Sequence, residues 1–297
     1  MTPARPTIFA RWCAARGWRP RPHQLAGLEK ARAGRTALLV APTGTGRTLA
    51  GFLPSLVELA EQMPVKAGRA APKRALHTLY VSPLKALSND IRINLEAPLA
   101  GIREQLRQQG LPDVEIRTAV RTGDTPTADR NRMRKRPPHI LVTTPESLYV
   151  LLGSASGREM LRHVREVIVD EIHAVAASKR GSHLALSLER LESLAQRRIV
   201  RIGLSATQKP IDKVAAFLIG DEAGDCAIVD IGHTRARDLA TEVPPVPPEA
   251  VMSNDMWALV YNRLANPVQQ HPTKPVSVNT PRTAARLARH LPDRPGK

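Results

Sequence analysis

Apolar and polar residues follow two different periodicities along roughly the first 235 residues. Short runs of aliphatic and β-branched residues, typical of strands, occupy 36–41, 77–82, 115–120, 139–144, 166–170 and 199–205. Longer segments with apolar residues at helical spacing lie between them, over 48–61, 84–109, 145–152, 183–196 and 210–218. Apolar strands separated by helices are typical of a parallel sheet with helices on both faces, so the pattern predicts an α/β fold.

The predicted sheet also indicates where a site would lie. Connections between parallel strands are right-handed, which places the carboxyl end of every strand on one edge of the sheet. Proteins of this class bind their ligands at that edge. Residues that directly follow a predicted strand are therefore the first candidates for a functional site.

The pattern changes near residue 235. A proline-rich stretch at 241–250 is typical of a linker, and residues 255–265 have helical periodicity. A predicted strand at 275–279 and a helix at 282–291 follow, and so small a unit cannot bury an apolar face by itself. We predict a domain over 1–235, a linker with a helix over 236–274, and the loosely packed, truncated start of a second domain over 275–297.

Charge adds a candidate partner. The chain has 44 lysines and arginines against 27 acidic residues, a formal charge of +17. Such an excess attracts polyanions, and nucleic acid above all, because much of its affinity comes from phosphate neutralisation. A bias of the composition towards arginine, alanine and proline would produce the same charge, so the charge alone defines no site.

Other classes of protein are disfavoured. Cys13 and Cys226 form no CxxC pair and are too few for a disulfide framework. No segment approaches the about 18 apolar residues of a membrane span, and the N-terminus has no secretory signal. We therefore expect a cytoplasmic protein without membrane contact. Histidines and cysteines show no zinc-ligand spacing, so the metal we expect is Mg²⁺ arriving with a nucleotide.

The first candidate motif is the glycine-rich stretch APTGTGRTLAGF at 41–52, which follows a strand and runs into a helix. It departs from the GxxxxGK[ST] pattern of phosphate-binding loops at Ala41 and Arg47. Gly44 and Gly46 allow successive N–H groups to point at phosphate oxygens, and the positive end of the helix adds to them. Thr48 offers a hydroxyl to Mg²⁺. Taken alone, the stretch fits a glycine-rich turn without function better than a nucleotide site, because such turns between a strand and a helix are common.

The second candidate is VIVDEIHA at 167–174, where two acids end a buried strand. Adjacent buried carboxylates are costly unless a cation or a proton compensates them. Asp170 suits a contact with Mg²⁺, and Glu171 suits the orientation or deprotonation of an attacking water. An ordinary acidic turn at a strand end is the alternative.

Four further motifs stand at predicted strand ends: SPLKALSND (82–90), RTGDTP (121–126), TTPES (143–147) and LSATQ (204–208). In this order the motifs resemble those of superfamily 2 helicases with a DEAD/DEAH-type motor, and more narrowly the large helicase-related (Lhr) family, whose second motif reads DEIH. The resemblance extends from about Phe9 to the C-terminus. It implies an ATP-dependent helicase or translocase with a RecA-like P-loop domain, followed here by an incomplete second RecA-like domain.

The resemblance implies roles at a site for ATP and Mg²⁺. Gln24 reads the adenine edge, and Asp170 and Glu171 handle the metal and the water. Ser205 and Thr207, with His173, couple the nucleotide to strand movement. The phosphate loop comprises Thr43, Gly44, Thr45, Gly46, Arg47 and Thr48, with Arg47 at the position of the catalytic lysine.

The resemblance also implies a path for DNA or RNA, gripped mainly through phosphates. The residues in the corresponding motifs are Pro83, Lys85, Arg121, Thr122, Gly123, Thr144 and Pro145. The basic run RNRMRKR at 130–136 is predicted to be a solvated helix face that adds nonspecific attraction.

Two features leave the activity open. An arginine is bulkier than a lysine at position 47 and cannot take the same compact place between phosphate oxygens. The family's second domain supplies arginines to the γ-phosphate, and such a residue is worth about 10³- to 10⁵-fold in rate. One reading is therefore an Lhr-type helicase motor, and the alternative is a catalytically impaired binding fragment of a truncated helicase. A third is a chain that works with a separate polypeptide supplying the second motor domain.

Overall fold

A computed structural model describes most of the chain, and the chain divides into two compact units, Met1–Thr234 and Arg235–Lys297. The described residues are 8–42, 44–62, 75–83, 85–108, 115–206, 210–220, 225–232, 240–243, 252–270 and 276–291. Thr43 and Thr207 of the candidate site lie outside these residues.

The first unit is built on a sheet of seven parallel strands in the order β3-β4-β2-β5-β6-β1-β7. The strands are β1 (Ala37–Val40), β2 (Thr78–Val81), β3 (Thr118–Arg121), β4 (Ile140–Thr143), β5 (Glu166–Val169), β6 (Val200–Ser205) and β7 (Ala227–Asp230). The predicted parallel sheet is therefore confirmed. The sequence interpretation did not include β7, a four-residue edge strand that pairs with β1 alone.

Helices cover both faces of the sheet. They are α1 (Ile8–Ala15), α2 (Pro22–Arg32), α3 (Arg47–Gln62), α4 (Lys85–Gln108), α5 (Thr127–Lys135), α6 (Pro145–Gly153), α7 (Ala155–Leu161), α8 (Ile172–Ala176), α9 (Lys179–Ala195) and α10 (Ile211–Ile219). Helix α9 begins at Lys179 rather than at 183, because the Ser178 hydroxyl accepts the N–H of Gly181 and caps it. Among the described helices, none combines the length and apolar character that a bilayer span requires.

The strands carry apolar side chains on both faces, which explains their continuous apolar sequence. Leu38 and Leu39 of β1 are both buried, yet they belong to separate core clusters. The Leu39 cluster includes Phe52 of α3 and Tyr80 of β2, whereas the Leu38 cluster includes residues of α6, α9 and α10. Successive strand residues point to opposite faces, so each cluster fixes one helical layer onto the sheet.

The second unit contains α11 (Asn254–Gln270) and α12 (Pro281–His290). The Tyr261 ring stacks on the rings of Trp257 and His290, at centroid distances of 5.5 and 5.1 Å. The predicted strand at 275–279 is wrong for its described residues, because 276–278 have no regular structure and Val276 is 43% exposed. A strand needs a partner to satisfy its backbone groups, and no strand of this unit is described. The assignment of 275–297 to a second RecA-like domain stays a prediction.

Candidate functional site

The candidate motifs meet at the carboxyl edge of the first unit's sheet. The glycine-rich loop follows β1, and the two acids follow β5. Only β6 lies between these strands in the sheet. The order of the strands therefore brings together a loop and an acidic pair that are far apart in sequence.

The glycine-rich loop has the backbone that its glycines permit. Gly44 and Gly46 have φ values of +81° and +77°, in the left-handed region that other residues rarely adopt. A Cβ atom at Gly46 would lie 3.0 Å from the Gln24 amide nitrogen. Thr45 Oγ1 donates to the carbonyl of Pro42 at 2.7 Å, which closes the turn before α3 begins. The loop thus exposes backbone N–H groups at a helix N-terminus, where anions bind.

Arg47 lies between the loop and the acids and is only 7% exposed. Its guanidinium donates to Glu171 Oε1 in a close ion pair and lies 3.6 Å from Asp170 Oδ1. A longer hydrogen bond of 3.5 Å reaches the Ala41 carbonyl. The cation of the loop therefore compensates both carboxylates, as buried acids require.

Asp170 is almost fully buried, and donors reach both of its oxygens. The Tyr80 hydroxyl donates to Oδ2 at 2.5 Å, and the Glu171 N–H donates to Oδ1 at 2.9 Å. Burial raises the pKa of Asp170 above its ordinary value, although the Tyr80 hydrogen bond and the Arg47 charge oppose that rise. Burial and the neighbouring Asp170 also hold the pKa of Tyr80 well above its usual range.

Glu171 has a left-handed backbone, with φ of 44° and ψ of 40°. Such a conformation is uncommon for a residue with a side chain and is found at functional turns. It belongs to the sharp turn between β5 and α8, at which the carboxylate meets Arg47. The sequence contains no signal for this conformation, because no glycine or asparagine occupies the turn.

His173 extends the contacts from the acids to β6. Its Nε2 lies 3.4 Å from Glu171 Oε2, and its Nδ1 lies 3.2 Å from the Ser205 hydroxyl. The structure therefore connects Arg47, Glu171, His173 and Ser205 in one chain of polar contacts. The remaining residue of the predicted coupling group, Thr207, lies outside the described residues.

A cavity of about 390 Å³ adjoins the glycine-rich loop. Gln24 lines it and is held in place, since Oε1 accepts the Arg21 N–H at 2.9 Å and Nε2 lies 3.5 Å from the Gly46 carbonyl. Trp18 also lines the cavity and is 53% exposed. The sequence interpretation missed Trp18, although a tryptophan shortly before Gln24 in a chain with 3% aromatic residues was an available signal.

The other predicted residues lie along the same edge in loops that are bonded internally. Arg121 donates to the Thr122 carbonyl at 2.8 Å, and burial together with the nearby Arg130 lowers the pKa of Arg121. Thr144 is buried and its hydroxyl caps α6, which begins at Pro145.

Three further predicted residues differ in what they offer. Gly123 is exposed, whereas Pro83 is buried. Lys85 begins α4, but its side chain lies outside the described part of the chain. Among these loops, Gly123 therefore contributes an accessible stretch of backbone.

Two arginines that the sequence did not single out hold these loops. Arg130 donates to the carbonyls of Thr125 and Gly123 at 2.7 and 2.8 Å. Arg180 donates to Glu146 Oε1 at 2.8 Å and to the Pro83 carbonyl at 2.9 Å. The solvated face predicted for 130–136 is confirmed for its exposed residues from Arg132 to Arg136, apart from the buried Met133. It is wrong at Arg130, because the Arg130 guanidinium closes a loop.

The two residues predicted to hold the metal offer oxygen donors that suit a hard cation. Asp170 offers a carboxylate and Thr48 a hydroxyl, and Mg²⁺ prefers oxygen ligands of this kind. The described residues contain no group of three or more histidine, cysteine, aspartate or glutamate side chains that could hold a metal. That is compatible with Mg²⁺, which is usually held by one or two protein oxygens together with phosphates.

Comparison with known sequences identifies relatives. Residues 21–214 match the profile of DEAD/DEAH box helicases. The chain is 44% identical over 272 residues to the Lhr helicase/probable uracil glycosylase of Mycolicibacterium smegmatis, covering 92% of this chain and 18% of that protein. It is 44% identical over 250 residues to the ATP-dependent helicase Lhr-Core of Methanothermobacter thermautotrophicus, covering 83% and 28%. The chain thus spans less than a third of the length of either relative.

Solved structures support the same assignment. The chain is similar to the Mycobacterium smegmatis helicase Lhr bound to ssDNA and AMP-PNP, with a TM-score of 0.81 and 42% identity over 96% of this chain and 35% of that one. The DEAD-box helicase Mss116 bound to ssRNA and UDP-BeF has a TM-score of 0.61 at 18% identity, covers 75% of this chain and 42% of its own, and supports the fold alone. The predicted RecA-like α/β fold is confirmed.

Proposed function

The chain belongs to the DEAD/DEAH box helicase family, and we propose that it provides the ATP- and nucleic-acid-binding motor domain of an Lhr-type helicase or translocase. The observation that carries this proposal is the contact of Arg47 with both Asp170 and Glu171 beside the glycine-rich loop. That contact joins the phosphate loop to the two acids in one compact site. For this chain we propose binding of a nucleotide, of Mg²⁺ and of nucleic acid.

ATP fits the loop and the cavity next to it. The cavity carries Gln24 for the adenine edge and the exposed Trp18 for its face, at one side of the loop. The N–H groups around Gly44 and Gly46 would cradle the phosphates, and Thr48 and Asp170 would hold Mg²⁺. Bound MgATP would supply the phosphoanhydride bond whose hydrolysis drives movement.

The acids have separate tasks in this proposal. Asp170, fixed by its two donors, would hold the metal, and Glu171 would orient a water and accept its proton. Glu171 can act on water only when its carboxylate is released from Arg47. Bound phosphates would replace the carboxylate as partner of the guanidinium and draw it towards the loop. His173 and Ser205, together with Thr207, would then transmit the altered position of Glu171 to the end of β6.

Single-stranded DNA or RNA would lie across the loops that follow β2, β3 and β4. We propose that the loops holding the predicted residues from Pro83 to Pro145 bind the phosphates, with the exposed backbone at Gly123 as a first point of contact. These loops have little to read bases with. The net charge of +17 strengthens this attraction.

A catalytically impaired binding fragment is the second candidate. It is favoured by one observation: Arg47 occupies the lysine position and is bound to Glu171, the proposed general base. The Glu171 carboxylate that holds this planar guanidinium competes with the phosphates for the same cation. A second RecA-like motor domain, whether on this protein or on a separate polypeptide, completes the site in either version. The boundaries at 1–235, 236–274 and 275–297 remain part of this proposal.

The proposal is tested by nucleotide and nucleic-acid binding of the full chain. We expect binding of a fluorescent ATP analogue that Mg²⁺ strengthens, and we expect Asp170→Asn to remove this strengthening by Mg²⁺. We also expect binding of oligonucleotides to fall by about 100-fold or more between 50 and 200 mM salt. Binding of neither ligand by the wild-type chain would refute the motor-domain proposal. Nucleotide binding without measurable turnover, alone and with oligonucleotide, would favour the impaired fragment.

A further inference from the structure

We infer that Tyr80 is a positioning residue for the metal-binding carboxylate of Asp170, an inference that rests on the proposed function. The phenol hydroxyl donates to Asp170 Oδ2 at 2.5 Å, across ninety positions of sequence. Glu171 N–H fixes the other oxygen. With a donor on each oxygen, the carboxylate plane cannot rotate freely, and its remaining lone pairs point in set directions.

The ring of Tyr80 is itself held tightly. It is fully buried in β2 and stacks on Phe52 at a centroid distance of 4.7 Å with an interplanar angle of 10°. Strand β2 pairs with β5 in a register that places Tyr80 opposite Ile168, two residues before Asp170. The hydroxyl therefore reaches the carboxylate from a rigid strand rather than from a loop.

Phe52 extends this support to the other proposed metal ligand. It lies on α3 four residues after Thr48, so both residues lie on the same face of that helix. The Phe52–Tyr80 stack thus connects the helix that carries Thr48 to the strand end that carries Asp170. We assign to this pair the task of setting the separation of the two protein oxygens that would hold Mg²⁺.

The hydroxyl is what distinguishes this role from simple packing. A phenylalanine at position 80 would fill the same space and could make the same stack with Phe52. Only the hydrogen bond to Asp170 would be lost, leaving Oδ2 buried without that donor. Tyr80→Phe therefore removes the proposed positioning hydrogen bond to Asp170 while retaining the core packing.

The test is a Mg²⁺ titration of fluorescent ADP binding by the full chain. For Tyr80→Phe, we expect the half-saturating Mg²⁺ concentration to rise about ten-fold, the effect of one hydrogen bond to a charged group. ADP affinity in EDTA should remain within about two-fold, because metal-free binding does not use Asp170. Phe52→Leu retains the hydroxyl but loosens the ring, so we expect a smaller rise of about three-fold.

Tyr149→Phe is the matched control, because the same atom is removed from an exposed ring that packs at a tilt against His183. Its Mg²⁺ dependence should equal that of the wild type. The inference is overturned if Tyr80→Phe leaves the Mg²⁺ dependence unchanged, or weakens ADP binding equally with and without Mg²⁺. If the wild-type chain shows no Mg²⁺-dependent ADP binding at all, the proposed function fails first and the inference falls with it.

Discussion

The two ends of β5 carry buried carboxylates in opposite settings. At the amino end, Glu166 is 4% exposed and accepts a hydrogen bond from Ser55, and burial raises its pKa to about 8. At the carboxyl end, Asp170 is equally buried, but Arg47 lies 3.6 Å away. The strand thus starts with a carboxyl group that is mostly protonated at neutral pH. It ends at a site in which a cation compensates two acids.

The difference shows that burial does not by itself mark a functional acid. Glu166 belongs to a hydrogen-bonded group in which Thr78 donates to Ser55 at 2.8 Å and His77 contacts Thr78 at 2.8 Å. The Ser55 hydrogen bond opposes the rise in the pKa of Glu166, and the charge of Glu58 adds to it. A strongly perturbed pKa is as compatible with a structural role as with a catalytic one, so the partners decide.

The largest effect is expected on ATP hydrolysis, after substitution of Glu171 at the carboxyl end of β5. Glu171→Gln should reduce any ATP hydrolysis by about 100-fold or more, because the group that would accept the proton is removed. MgATP binding should persist, since the amide no longer competes for Arg47. Steady-state hydrolysis with oligonucleotide present measures the first effect, and nucleotide titration the second.

Glu166→Gln is the matched change at the other end of the strand and should leave hydrolysis within about two-fold. Equal losses of hydrolysis in the two variants would break the comparison.

The second prediction concerns how Glu166 makes the free energy of unfolding depend on pH. Because the pKa of Glu166 is raised in the folded chain to about 8 from 4.5, the folded state binds more protons between these values. Its contribution to stability is therefore present at low pH and is lost as the pH rises through about 8. Glu166→Gln retains an acceptor for Ser55 without this loss, so we expect a gain of about 2 kcal/mol at pH 8.

Urea unfolding from pH 5 to 8 checks this expectation. The free energy of unfolding of the Gln variant should fall less steeply with pH than that of the wild type. Parallel pH profiles would mean that Glu166 does not titrate in this window.

A third change sharpens the comparison at the cation. Arg47→Lys keeps the charge but replaces the planar fork with a compact ammonium that fits between terminal phosphates. We expect MgATP to bind about ten-fold more tightly, the equivalent of one well-placed charge-assisted hydrogen bond, with some rise in basal hydrolysis. Nucleotide titration and hydrolysis of the two chains provide the measurement. Unchanged values would show that Arg47 already serves the loop as well as lysine.

The smallest effect concerns the loops that would bind nucleic acid. Arg130→Ala should weaken oligonucleotide binding by about five-fold, because the loop loses its internal donor as well as a charge. Arg132→Ala removes the same charge from an exposed residue paired with Asp129, so its effect should stay within about two-fold. Fluorescence anisotropy at one salt concentration measures both. Equal effects would show that Arg130 contributes to oligonucleotide binding only through its charge.

Most of the fold was readable from the sequence, because strand and helix periodicities are local. The core strands, the principal helices and the placement of motifs at strand ends follow from short segments such as 37–40 and 166–169. The misses have physical causes. Strand β7 lies at an edge and lacks a buried pattern, and residues 276–278 have an apolar pattern without a described strand to pair with.

The amino-acid sequence specifies which chemical groups stand at the ends of the strands, since a motif such as DEIH is contiguous. Which of these groups touch depends on the tertiary fold. Arg47 meets Glu171 across 124 positions, and Arg180 meets the Pro83 carbonyl across 97. These contacts depend on the strand order β2-β5-β6-β1, which apolar periodicity does not encode because any parallel order would bury the same strands.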